Sequence, residues 1–166
     1  MNLPFTLGRI AVVLIFIISG VQKLMDIAGT ADQIRSKVVI PAQLSDLASQ
    51  FEATAGISIW QVLAIVAAIL EVLGGVLIAF NVRTRTMAVV LLMFAAVTTV
   101  YFHDFWNMPD GPGRVSNMFH ALKNLSIIGA LLMLAAWPRR HVIVAASPRS
   151  AALTPPAPKQ VVDEKS

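Results

Sequence analysis

The residues of this chain that could do chemistry are few, and they fall into two sets. The first is a pair of opposite charges in apolar surroundings. Glu71 stands in the run Ile59-Trp60-Gln61-Val62-Leu63-Ala64-Ile65-Val66-Ala67-Ala68-Ile69-Leu70-Glu71-Val72-Leu73-Gly74-Gly75-Val76-Leu77-Ile78-Ala79-Phe80, where every other residue is uncharged, and Arg9 stands in the first apolar stretch. A charge in such a stretch costs roughly 2.5–3.5 kcal/mol on insertion scales, so it calls for a partner. The second set is Gln22, Lys23, His103, Asp104, Trp106, Asn107, His120, Lys123 and Asn124. Lysines attract anions, and a carboxylate beside a histidine can orient the imidazole. Brought together, these side chains would form an outer polar cluster for a small anionic or quinone-like headgroup.

The elements that must position these residues are membrane helices. The chain is 57% hydrophobic and 13% charged, which places it in the membrane class. About 20 apolar residues at ~1.5 Å each cross the ~30 Å hydrocarbon core. Four stretches fit: 3–24, 57–80, 86–102 and 119–137. The fold class is therefore all-α, an integral membrane antiparallel four-helix bundle. The first stretch has no Lys or Arg among its first eight residues and no Ala-x-Ala site after its apolar core. It reads as a retained helix and not as a signal peptide. A short link, 81–85, makes the second and third spans antiparallel neighbours.

Arg83 and Arg85 in that link and Arg139-Arg140 after the fourth span lie on one side. The positive-inside rule makes that side cytoplasmic, with both termini. Loops 25–56 and 103–118 then face outward. In the first of these, Thr30 is expected to cap a short helix through Arg35, and Pro41 to open another. Leu44, Leu47 and Phe51 recur at helical spacing opposite Ser45, Asp46, Ser49 and Glu52. That pattern is an amphipathic segment, lying on the membrane surface or capping the bundle. The four-helix domain is taken as 1–146. Residues 147–166, rich in Pro, Ala, Ser and Lys, are expected to be a disordered cytoplasmic tail.

Helix faces and depth suggest partners. Arg9, Phe16 and Lys23 share one face of the first span, with Ser19 and Gly20 beside them. Ala64, Ala67, Ala68, Gly74 and Gly75 surround Glu71 with small residues, a stripe suited to a neighbouring helix. Counted from Phe80, Glu71 lies roughly 13 Å from the cytoplasmic end of its span, and Arg9 roughly 6–9 Å in. A buried Arg9–Glu71 intramembrane ion pair is expected, because Lys23 and Lys123 lie near the opposite surface. The pair reads as a clamp between helices ahead of a reaction centre. Phe105, Trp106, Tyr101 and Trp137 read first as interfacial aromatics, and Lys23 is equally explained as a lysine reaching toward the headgroups.

Several chemistries find no support. Without cysteine the chain has no disulfide, thiol redox pair or cysteine-ligated metal. No Glu-x-x-His motif suits a di-iron bundle, and no histidine pair within a span suits haem. No metal site and no covalently bound cofactor are expected. The net charge of +4 follows loop position, so the lipid bilayer and not nucleic acid is the expected partner.

Six short motifs follow in order: Leu7-Gly8-Arg9, Ser19-Gly20-Val21-Gln22-Lys23-Leu24, Glu71-Val72-Leu73-Gly74-Gly75, Arg83-Thr84-Arg85, His103-Asp104-Phe105-Trp106-Asn107 and His120-Ala121-Leu122-Lys123-Asn124-Leu125. Together, over residues 3–137, the chain resembles the DoxX family of small bacterial membrane proteins. The resemblance implies a four-span protein of the inner membrane. The family takes its name from a subunit of an archaeal thiosulfate:quinone oxidoreductase, and related members look like components of membrane redox or oxidative-stress systems. The function expected on that basis is a non-catalytic membrane subunit or scaffold of a quinone-linked system. It would hold quinone or a small anion while a membrane or periplasmic redox partner handles electrons, because these residues carry none without a borrowed cofactor. The alternatives are an autonomous membrane oxidoreductase passing electrons from a small substrate to quinone, and a small proton-coupled transporter using Glu71. A four-span transporter would need a homo-oligomer to build its path. No catalytic residue is assigned.

Overall fold

The computed structural model describes residues 3–137, which form α1 (Leu3–Met25), α2 (Ile27–Lys37), α3 (Ala42–Ala55), α4 (Ile59–Ala79), α5 (Thr84–Phe102) and α6 (Pro112–Ala136), with a 3-10 turn at Phe105–Asn107. The expected tail 147–166 lies outside the described residues. No strand occurs among those described. Four helical segments, Leu3–Met25, Ile59–Ala79, Thr84–Asn107 and Pro112–Ala136, are long and apolar enough to cross a membrane. The protein is an all-α membrane helical bundle.

Local sequence explains most helix ends. Ser58 caps α4 by accepting from the Gln61 amide, while the Gln61 side chain accepts from the Ser58 amide. This reciprocal box satisfies two donors that a helix start leaves open. Glu52 Oε1 accepts from the Ile59 amide at 2.9 Å and ties α3 to the same end. The link to α5 is tighter than 81–85, since helix resumes at Thr84. Asn81 and Arg83 take left-handed backbone there, with φ of 62° and 48°.

Two expectations need correction. The fourth span starts at Pro112 and not at 119. Its first two turns carry Arg114, Ser116 and Asn117, so hydropathy alone missed them; Pro112 at the first helical position was the available sign. In the loop 25–56, α2 is capped by Asp26, whose side chain accepts from the Gly29 amide, and not by Thr30. Thr30 sits inside the helix and donates to the Asp26 carbonyl. Helix α3 forms where the amphipathic segment was expected, with Pro41 just before it. Leu44, Leu47 and Phe51 are exposed on it.

The closest seam joins α1 and α4, which run antiparallel. A Cβ added at Gly20 would lie 2.7 Å from Val72 and 2.8 Å from the Ala68 carbonyl oxygen. One added at Gly75 would lie 2.7 Å from Ile17. Small residues here let two membrane helices approach backbone to backbone. The packed core comprises Val13, Phe16, Ile78, Ala88, Leu91, Ala95, Leu131 and Leu134, and most of it lies in the half of the bundle nearer the α4–α5 turn. At that end Phe5 packs on Trp137 with ring centroids 4.3 Å apart, and Arg85 donates to the Trp137 carbonyl.

Because the contact at Gly20 includes backbone, Gly20→Ala is expected to destabilise by about 1–3 kcal/mol through overpacking. Gly129→Ala, with nothing within 4 Å of the added carbon, is the matched control. Thermal unfolding in detergent checks both, and equal midpoints would remove the close seam.

Candidate functional site

Glu71 is 4% exposed, and its partner is Lys23. The Lys23 ammonium donates to Glu71 Oε2 at 2.8 Å and Oε1 at 3.1 Å, and to Ser19 Oγ at 2.5 Å. The expected Arg9–Glu71 pair is therefore corrected. Arg9 is also 4% exposed, but its Nη2 donates to the Ala79 carbonyl at 3.1 Å. Its Nε and Nη1 have no hydrogen-bond partner among the described residues. The seam register explains the difference. It sets Arg9 level with Ala79, eight residues or about 12 Å beyond Glu71. Lys23 reaches Glu71 because helical side chains lean back toward the N-terminus; its bond to Ser19, one turn earlier, shows that direction.

The pair lies in the wall of a cavity of about 680 Å³ in the half of the bundle away from the α4–α5 turn. That volume falls within the roughly 300–1,000 Å³ common for ligand sites. Phe16, Ser19 and Lys23 face it from α1, Gln33 and Ile34 from α2, and Ala67, Leu70 and Glu71 from α4. Thr98, Tyr101, His103, Lys123 and Asn124 close the other side. The surround is apolar with polar groups at separate points, so a flat or chain-bearing molecule could be held by a few directed bonds.

The predicted outer residues separate into two groups. Lys23, His103, Lys123 and Asn124 line the cavity. His120 stacks on His103, with ring centroids 5.2 Å apart and planes at 18°. Gln22, Asp104, Trp106 and Asn107 do not line it. Asp104 was expected to orient His103; it pairs instead with Lys37 at 3.2 Å, while His103 Nδ1 lies 3.3 Å from Asn117 Oδ1. The chain turns after His103 into the 3-10 turn, which separates the two neighbouring side chains. Trp106 is exposed and meets Phe105 edge-on. Asn107 donates its amide to the Asp104 carbonyl. Asn124 donates to Thr99 Oγ1 at 3.0 Å and joins α6 to α5.

Sequence reasoning did not assign Ser19, Asn117, Thr99 or Lys37 to the site. Ser19 was detectable, one turn from Lys23 on its face; Asn117 sits three residues before His120 on α6. Lys37 carries no sign in sequence that it would cross to Asp104. Lys123 has no hydrogen-bond or ion-pair partner among the described residues, which leaves its ammonium available to a ligand.

A double-mutant cycle separates Lys23 from Arg9 as the partner of Glu71. Removing one member of a buried pair costs about 3–5 kcal/mol. The Lys23 side chain keeps 26% exposure, so about 2–3 kcal/mol is expected for Lys23→Met or Glu71→Gln, with water screening the rest. The double variant should recover at least about 1 kcal/mol of coupling. Arg9→Met and Glu71→Gln should add. Coupling confined to the Arg9 cycle would restore the pairing first expected.

The DoxX family profile matches residues 5–104. A curated relative in Escherichia coli (strain K12), named "Inner membrane protein YphA", is 36% identical over 129 residues, covering 78% of this chain and 79% of that protein. No solved structure matches the chain. A profile spanning α1 to the end of α5, together with a relative of this identity and coverage, makes the chain a member of the DoxX family.

Proposed function

We propose that this protein is an inner-membrane binding subunit of a quinone-linked redox or oxidative-stress system, holding a quinone headgroup in the outer cavity while a partner protein performs the electron transfer. The observation that carries the reading is the cavity itself: about 680 Å³, apolar, with the Lys23–Glu71 pair in one wall and Lys123, His103 and Tyr101 opposite. A quinone presents two carbonyl acceptors at opposite ends of a flat ring. The unpartnered Lys123 ammonium and the His103 imidazole are donors suited to one of them. When bound, quinone would supply the electron-accepting chemistry; the side chains bind and orient it. The name of the Escherichia coli relative supports the inner membrane as the location. Arg83 in the α4–α5 turn and Arg85 in the first turn of α5 support a cytoplasmic side shared by that turn and both termini.

Two measurements test this. Solvent extraction of the purified protein is expected to release quinone, and Lys123→Ala should lower the amount about tenfold or more, matching loss of a charged hydrogen bond of about 1.5–3 kcal/mol. Equal quinone in both, at equal folded yield, removes the binding reading. A reporter active only in the periplasm should stay silent when fused after Trp137; activity there reverses the orientation.

A further inference from the structure

We infer that the cavity is entered sideways from the bilayer, through a slot between the outer halves of α4 and α5, and that its occupant is a long-chain lipid quinone whose tail lies in that slot. The inference rests on the binding reading above and adds the route of entry and the place of the chain.

The slot follows from how α4 and α5 diverge. Near the inner end they touch: a Cβ on Gly74 would lie 3.1 Å from Leu91. Further out, Leu63 and Val66 of α4 and Val97 and Tyr101 of α5 all line the cavity, yet they are 39%, 53%, 52% and 47% exposed. Residues that wall a closed chamber would be buried. These four face both the chamber and the outside. Val66 lies seven residues into α4, and Val97 five residues before the end of α5. Both are therefore about 8–10 Å below the outer helix ends, at hydrocarbon depth. The outside of the slot is lipid.

The aqueous side is partly roofed. Gln33 and Ile34 of α2 line the cavity from above, and Ala31 on the same helix is buried. A polar headgroup from the bilayer thus meets an apolar slot with charge behind it, at Lys23, Glu71 and Lys123. A molecule matching both needs an acceptor-bearing head and an apolar chain. A water-soluble anion would match the charges and leave the slot unused.

The test uses full-length protein in nanodiscs and two probes, a benzoquinone bearing a decyl chain and the same ring without it. The decyl probe is expected to bind wild type at least tenfold more tightly. Val66→Trp with Val97→Trp should weaken the decyl probe about tenfold and leave the chainless ring unchanged. Equal decyl binding with and without the tryptophans overturns the slot, as does a decyl probe with no advantage over the bare ring. If neither probe binds wild type, the binding reading fails first and the slot with it. The absence of cysteine permits a second readout independent of those bulky variants. A fluorophore on Val66→Cys should be quenched by a quinone carrying a nitroxide on its chain, well beyond one on Leu132→Cys, which is exposed on α6. Equal quenching at both positions also rejects the slot.

Discussion

A carboxylate inside a membrane bundle is costly unless a cation meets it, and the rest of this structure is arranged around that demand. Lys23 answers Glu71 from the neighbouring helix, with the Ser19 hydroxyl taking part of the ammonium's remaining bonding capacity. For the two groups to meet, α1 and α4 must lie close and in one register. Gly20 and Gly75 permit the approach, because any larger side chain would collide with the facing helix. The charges and the glycines are thus a single device. The pair demands proximity, and the small residues supply it. Since the ammonium also borders the cavity, the contact that holds two helices together is part of the surface a ligand would meet.

The bundle divides along its length. The half nearer the α4–α5 turn is packed by Val13, Ile78, Ala88, Leu91, Leu131 and Leu134. The other half encloses space. A uniformly packed bundle would suit a purely structural protein, whereas filling only one end leaves room for recognition at the other. Belonging to the DoxX family does not decide what is recognised. The side chains around the cavity carry that question.

Much of the fold could be read from the chain because membrane helices announce themselves by length and hydropathy. The small stripe around Glu71 marked the α1–α4 interface for the same reason. What failed was reasoning by depth. Counting residues from Phe80 placed Arg9 nearer to Glu71 than Lys23, but depth from a span's end is uncertain by a turn, and a lysine side chain reaches another turn back along its helix. The register that settles the pairing is set by Gly20 and Gly75 jointly, and no single position reveals it. His103 and Asp104 show a second limit. Adjacent in sequence, they diverge because α5 ends at Phe102 and the chain turns after His103, and Asp104 finds Lys37 from a loop whose path sequence does not disclose. The first two turns of α6 were hidden by their polarity, although Pro112 marked them.

The placement of the two partners also bears on how the protein is made. Lys23 closes α1, and Glu71 follows it by 48 residues along the chain. A lysine near a helix end can rest at the headgroups while it waits. A carboxylate halfway along a span has no such refuge. The chain therefore releases into the bilayer first the charge that can stay wet, and brings in the other only when its counterion is already in place. Reversed, the same ion pair would leave an acid stranded in lipid during biogenesis.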